Sequence, residues 1–117
     1  MTTFHVDVAT FGDRTVISVA GELDLDTRAQ VTHATSKLDL TGRTLVMDLT
    51  NMTFIDSTGL TTLIVLRRRA QTEGWNLELH GAGKKVIHVL DLTGTRELFT
   101  LTNPTDTHTP DECRTVK

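Results

Sequence analysis

The sequence predicts an α/β domain: a mixed, mostly parallel sheet of four to five strands with helices packed on it. Three observations lead there. Short β-branched runs alternate with apolar stripes at helical spacing. Their order reads strand, strand, helix, strand, helix, strand, helix, strand, so each helix after the opening hairpin carries the chain back to start a parallel neighbour. The length of 117 residues suits one modest core and not two.

Each element has its own signal. Phe4, Val6 and Val8 alternate with His5, Asp7 and Ala9, the period of an edge strand with one buried face. Phe11-Gly12-Asp13-Arg14 supplies a turn into Thr15–Ala20 (TVISVA), whose β-branched character predicts a more buried partner strand. Asp26 or Thr27 is placed to cap a helix carrying Val31, Ala34 and Leu38 at i, i+3 and i+7. Leu40-Thr41-Gly42-Arg43 breaks that pattern, and Leu45–Leu49 (LVMDL) reads as a mid-sheet strand covered on both faces.

A second helix starts at Ser57 and carries Leu60, Leu63, Ile64 and Ala70 as its apolar stripe. Arg67, Arg68 and Arg69 fall towards its C-terminal end, where positive charge complements the helix dipole, and Gly74 stops it. Trp75, Leu77 and Leu79 alternate with Asn76, Glu78 and His80 as a further strand. Gly81-Ala82-Gly83 then opens a helix over Lys84–Leu92 with Val86, Val89 and Leu90 on one face, and Leu98–Leu101 forms a fifth strand. Residues 103–117 contain both prolines and no apolar stripe, so a flexible polar tail is expected there, with the domain spanning 1–102.

Composition narrows the function. Twelve basic against 15 acidic residues leave a formal charge of −3, no footprint for direct nucleic-acid binding or an anionic membrane. The single cysteine, Cys113, makes no internal disulfide and points to a reducing compartment, the cytoplasm. The N-terminal MTTFHVDVAT lacks the pattern of a signal peptide, and no apolar run is long enough for a membrane span.

The densest chemistry is the stretch Phe54-Ile55-Asp56-Ser57-Thr58-Gly59-Leu60, at a strand-to-helix junction. Its plainest reading is structural: Ser57 or Thr58 caps the helix and Gly59 permits close backbone approach. A second reading adds function, because partners dock at the carboxyl ends of strands in open α/β sheets and a hydroxyl there stands on a rigid base. Phosphorylation would add about −1.5 to −2 charge beside Asp56.

Catalytic readings fail on spacing. The nucleophile elbow G-x-S-x-G has Ile55 where its first glycine belongs, and one D-S-T-G supplies only half of an aspartic dyad. Gly81-Ala82-Gly83-Lys84-Lys85 lacks the spacer and the hydroxyl of a phosphate loop. His5, His33, His80, His88 and His108 are scattered, and Glu22, Asp24 and Asp26 have no further oxygen ligands at metal-binding spacing. No catalytic residue, metal or cofactor is expected of the chain itself.

Two blocks resemble a known family. Gly21-Glu22-Leu23-Asp24-Leu25-Asp26-Thr27 is similar to its G-E-L-D motif, and Leu45 to Leu63 (LVMDLTNMTFIDSTGLTTL) resembles its apolar strand followed by D-S-[ST]-G-L. The family is the STAS domain in its single-domain form, the bacterial anti-sigma factor antagonist, and the resemblance spans roughly residues 4–101.

The resemblance implies partner switching. The unphosphorylated chain would bind an anti-sigma factor that is also a serine protein kinase, phosphorylation at Ser57 would release it, and a serine phosphatase would restore it. ATP and Mg²⁺ would belong to the partner. Glu22, Asp24, Asp56, Ser57, Thr58 and Gly59 would form the partner-binding surface, with Thr58 a second hydroxyl open to modification. The alternative within the same fold is an accessory subunit of another assembly, such as a lipid transporter, with Ser57 mainly a helix cap. Family members usually end in an amphipathic helix packed on the sheet, and the polar 103–117 departs from that pattern.

Overall fold

The structure, a computed structural model, describes residues 4–102. The polar tail expected over 103–117 lies outside the described residues. Strands β1 (His5–Phe11) and β2 (Arg14–Leu23) form a hairpin, followed by α1 (Arg28–Ser36), β3 (Thr44–Ile55), α2 (Ser57–Glu73), β4 (Asn76–His80), α3 (Lys84–Thr93), a 3₁₀ turn (Arg96–Leu98) and β5 (Thr100–Thr102). The sheet order is β1-β2-β3-β4-β5; β1 pairs antiparallel with β2 and every other pair is parallel.

The four parallel strands follow one another in a single direction, so right-handed crossovers put all three helices on one face. Burial divides the sheet accordingly. Ile17, Val19, Leu45, Met47, Leu49 and Leu79 are buried under the helices against Leu63, Leu66, Val86 and Leu90. The residues between them, Val16, Ser18, Val46, Asp48, Glu78 and His80, are half-buried on the opposite face, where Arg14 and Glu78 pair at 3.2 Å. The expectation that β3 is covered on both faces is therefore corrected. It is the central strand, but the one-way strand order leaves its second face without a helix.

β3 also runs further than its alternation suggests. Pairing steps from Ser18–Asp48 to Ala20–Asn51, then from Gly21–Met52 to Glu22–Phe54, so β3 carries two extra residues relative to β2. Its buried positions shift from Leu45, Met47 and Leu49 to Met52 and Ile55. These bulges break the period of two and hide the strand's continuation up to Ile55.

The arginines of α2 differ from expectation. The helix continues to Glu73 and has no basic residue in its last turn. Arg69 instead turns to α1, donating to the carbonyls of Thr35 (2.9 Å) and Leu38 (3.2 Å), while its guanidinium lies 5.6 Å from the centre of the Trp75 ring. Arg67 donates to the Leu98 carbonyl. These side chains join elements together and satisfy carbonyls at their ends. Arg69, with the Trp75 indole N–H, also holds the exposed Glu73 carboxyl below the ordinary carboxylate range.

Two ends move as well. Helix α1 stops at Ser36, so Leu38 packs on the core from beyond the helix and Thr35 shares the buried face with Val31. Residues 96–98 form the 3₁₀ turn, closed by the Leu98 N–H on the Thr95 carbonyl at 2.9 Å, and the last strand starts at Thr100. Gly94, in the left-handed region at φ 69°, ends α3 and turns the chain into that 3₁₀ segment.

Candidate functional site

The site is built where β2 and β3 end side by side. Glu22 pairs with Phe54 and Leu23 with Ile55, so the chain leaves both strands at one edge, once into the loop before α1 and once into α2. The Asp56 N–H donates to the Leu23 carbonyl at 3.3 Å, tying the two exits together.

Asp56 is the N-cap of α2: its backbone is extended, and its Oδ1 accepts the Gly59 N–H at 2.8 Å. The expectation that Ser57 or Thr58 caps the helix is corrected. Both already lie inside it, as the first and second helical residues. A Cβ on Gly59 would collide with the Leu23 carbonyl oxygen and stand 2.9 Å from Ile55 Cγ1, so the helix start is seated directly on the end of β2. Only glycine fits there.

These contacts free Ser57. Its carbonyl accepts the Thr61 hydroxyl at 2.8 Å, its residue is exposed, and its own hydroxyl has no hydrogen-bond partner among the described residues. Thr58 is half-buried, and its carbonyl accepts the hydroxyl of buried Thr62 at 3.1 Å. Ser57 is therefore the more accessible of the two hydroxyls. No hydrogen bond joins it to the Asp56 carboxylate among the described residues; Oδ1 of that carboxylate accepts the Gly59 N–H.

The neighbouring loop uses its acids unequally. Asp24 Oδ1 accepts the N–H of Asp26 (3.0 Å) and of Thr27 (3.2 Å), and the Asp24 N–H is bonded in turn to Thr27 Oγ1 (3.0 Å). Thr27 donates its hydroxyl to the Glu22 carbonyl at 2.6 Å, so it locks the loop without closing a side-chain cap on α1. Asp24 is spent on this turn. Glu22 and Asp26 are exposed, and their carboxylates make no hydrogen bond or ion pair among the described residues.

The sequence reading missed two apolar members of this surface. Leu25 is 62% exposed in the loop, and Phe54 is 45% exposed beside Glu22. Both lie where the chain leaves β2 and β3. Leu25 stands between two aspartates in a loop, which was a usable signal. Phe54 lies beyond Leu49, where the alternation read from the sequence stopped: the bulges bury Met52 against the period of two, although the second bulge restores the phase by Phe54. Among the described residues no group of three or more His, Cys, Asp and Glu is placed to hold a metal, and no helix is long and apolar enough to cross a membrane.

A family profile described as "Mlab, STAS domain" matches residues 6–101. The chain belongs to the STAS domain family. Its sequence is 28% identical over 88 residues to a STAS-domain containing protein of Pseudomonas aeruginosa (strain UCBPP-PA14), covering 75% of this chain and 87% of that one. It is 24% identical over 95 residues to the anti-sigma-B factor antagonist of Bacillus subtilis (strain 168), covering 81% and 87%. The STAS fold is shared with the crystal structure of an anti-sigma factor antagonist from Mycobacterium paratuberculosis, at a TM-score of 0.75 and 24% identity over 93% of this chain and 90% of that one.

The division of labour around Ser57 gives a testable stability pattern for this STAS domain. Asp56→Ala is expected to cost about 1 kcal/mol by removing the cap, and Asp56→Asn to cost only a few tenths because asparagine caps equally well. Equilibrium urea unfolding of the two variants checks this. Equal losses would mean that the charge, and not the hydrogen bond to Gly59, supports the helix start.

Proposed function

We propose that this STAS domain is an anti-sigma factor antagonist acting by partner switching. Unmodified, it binds an anti-sigma factor that is also a serine protein kinase; phosphorylation of Ser57 releases it, and a serine phosphatase resets it. The reading rests on one observation above the others: Ser57 presents an exposed hydroxyl, unpartnered among the described residues, from the fixed first turn of α2 at the carboxyl edge of the sheet. Similarity to the anti-sigma factor antagonists of Bacillus subtilis and Mycobacterium paratuberculosis supports it.

In this reading the chain is a cytoplasmic substrate and ligand, not an enzyme, and it neither contacts nucleic acid nor holds a cofactor. The partner supplies ATP and Mg²⁺. Glu22, Leu25, Phe54, Ser57 and Thr58 form the docking surface, while Asp24, Asp56 and Gly59 fix its shape. Incubation with the cognate kinase and Mg·ATP, followed by intact mass and peptide mapping, should place a single phosphoryl group on Ser57 and none on Ser57→Ala. An unmodified chain that co-purified with membrane components would point instead to an accessory subunit of a transporter, with the hydroxyl at Ser57 playing no switching part.

A further inference from the structure

We infer that the free edge of β1 is a self-pairing surface, on which a second copy of the chain adds its own β1 antiparallel about a two-fold axis at Val8. The two edges of the sheet are unequal. β5 is three residues long, whereas β1 is seven, and six of those seven are exposed. β1 has no proline, lysine or bulge, the devices that usually blunt an edge strand.

The hairpin register determines which backbone groups face outward. Phe11 and Arg14 flank a two-residue turn and form the first doubly hydrogen-bonded pair, so Ala9, Asp7 and His5 also bond inward to β2. The N–H and C=O of Val6, Val8 and Thr10 consequently face out from the sheet edge, where β1 has no second strand partner among the described residues. Antiparallel pairing centred on Val8 sets Val8 against Val8 of the second copy and each Val6 against a Thr10. That register satisfies the outward groups of all three residues at once. Shifting the centre to Asp7 puts two carboxylates directly opposite, which disfavours it. Shifting it to Ala9 leaves Val6 without a strand partner.

Side chains complement the same register. Val8, 45% exposed, gains a Val8 neighbour on the helix-bearing face, where Val6 already packs against the core. On the other face each Asp7 meets an Ala9 and each His5 meets a Phe11, which is 65% exposed in the single chain. Asp7 is already served by its own strand, with His5 Nε2 3.0 Å from its Oδ2. The strands of the two copies then run in opposite directions, so the two Ser57 sites stand at opposite ends of the joined sheet and remain free.

Sedimentation equilibrium over a wide concentration range tests this. The 12.9 kDa chain should approach twice that mass at high concentration. Val8→Pro removes an outward N–H and none of the β1–β2 hydrogen bonds, and should raise the dissociation constant at least tenfold. Val8→Lys should do the same through like-charge contact across the axis, and serves if the proline variant loses its native circular dichroism. The proposal is overturned if the wild-type chain keeps its monomer mass at millimolar concentration, or if a folded Val8→Lys dimerises as tightly as wild type.

Discussion

Gly59→Val is expected to lower the unfolding free energy by about 3 kcal/mol, near the upper end of what forcing extra atoms into a packed site costs. The position carries no backbone demand, since Gly59 lies within the first turn of α2, where any residue adopts the geometry. Space alone forbids a side chain: the first carbon added would meet the Leu23 carbonyl oxygen and Ile55 Cγ1. A carbonyl at the end of a paired strand cannot yield as a flexible side chain does, so α2 must lift away from β2. Gly74→Ala isolates the opposite case. That residue sits at φ 79° with nothing within 4 Å of a built Cβ, so its cost is dihedral and expected near 1 kcal/mol. Guanidinium unfolding of both variants measures the contrast. A Gly59→Val loss no greater than that of Gly74→Ala would show that the helix start is not wedged on β2.

That wedge explains why some of the architecture was legible in the sequence and some was not. The apolar stripe from Leu60 to Ala70 and the glycine after α2 are local signals, and the structure follows them, whereas the alternation of Val6 and Val8 marks the strand β1 but not its burial, since Val8 is exposed. What local patterns do not encode is register between distant segments. The two bulges in β3 let Leu23 and Ile55 end side by side, and they bury Met52 against the period of two. The same meeting of strand ends lets Asp56 cap the helix and releases Ser57 from that task. Arg69 illustrates the limit again: on paper its charge belongs to the end of its own helix, but its geometry carries it across to α1. The Asp56-Ser57-Thr58-Gly59 cluster was visible as a candidate site. The roles within it depended on a contact 36 positions back along the chain, from Gly59 to Leu23.

Ser57→Asp is expected to weaken binding to the anti-sigma factor about 100-fold, roughly 2.7 kcal/mol, while Ser57→Ala stays within about threefold of wild type. The asymmetry follows from where the new charge would sit. Within the chain, an anion at the first helical position is tolerated: the N–H groups of Ser57 and Thr58 have no backbone partner among the described residues, and the helix dipole favours negative charge there. Unfolding free energy should therefore change by less than about 0.5 kcal/mol in either variant. At the proposed interface the charge would add to that of exposed Glu22, and a partner that excludes water on binding would desolvate it. Isothermal titration calorimetry of the three proteins against one anti-sigma factor, with parallel urea unfolding, separates the terms. Equal affinity for wild type and Ser57→Asp would remove charge as the switch. A loss of affinity matched by an equal loss of stability would move the effect from the interface into the fold.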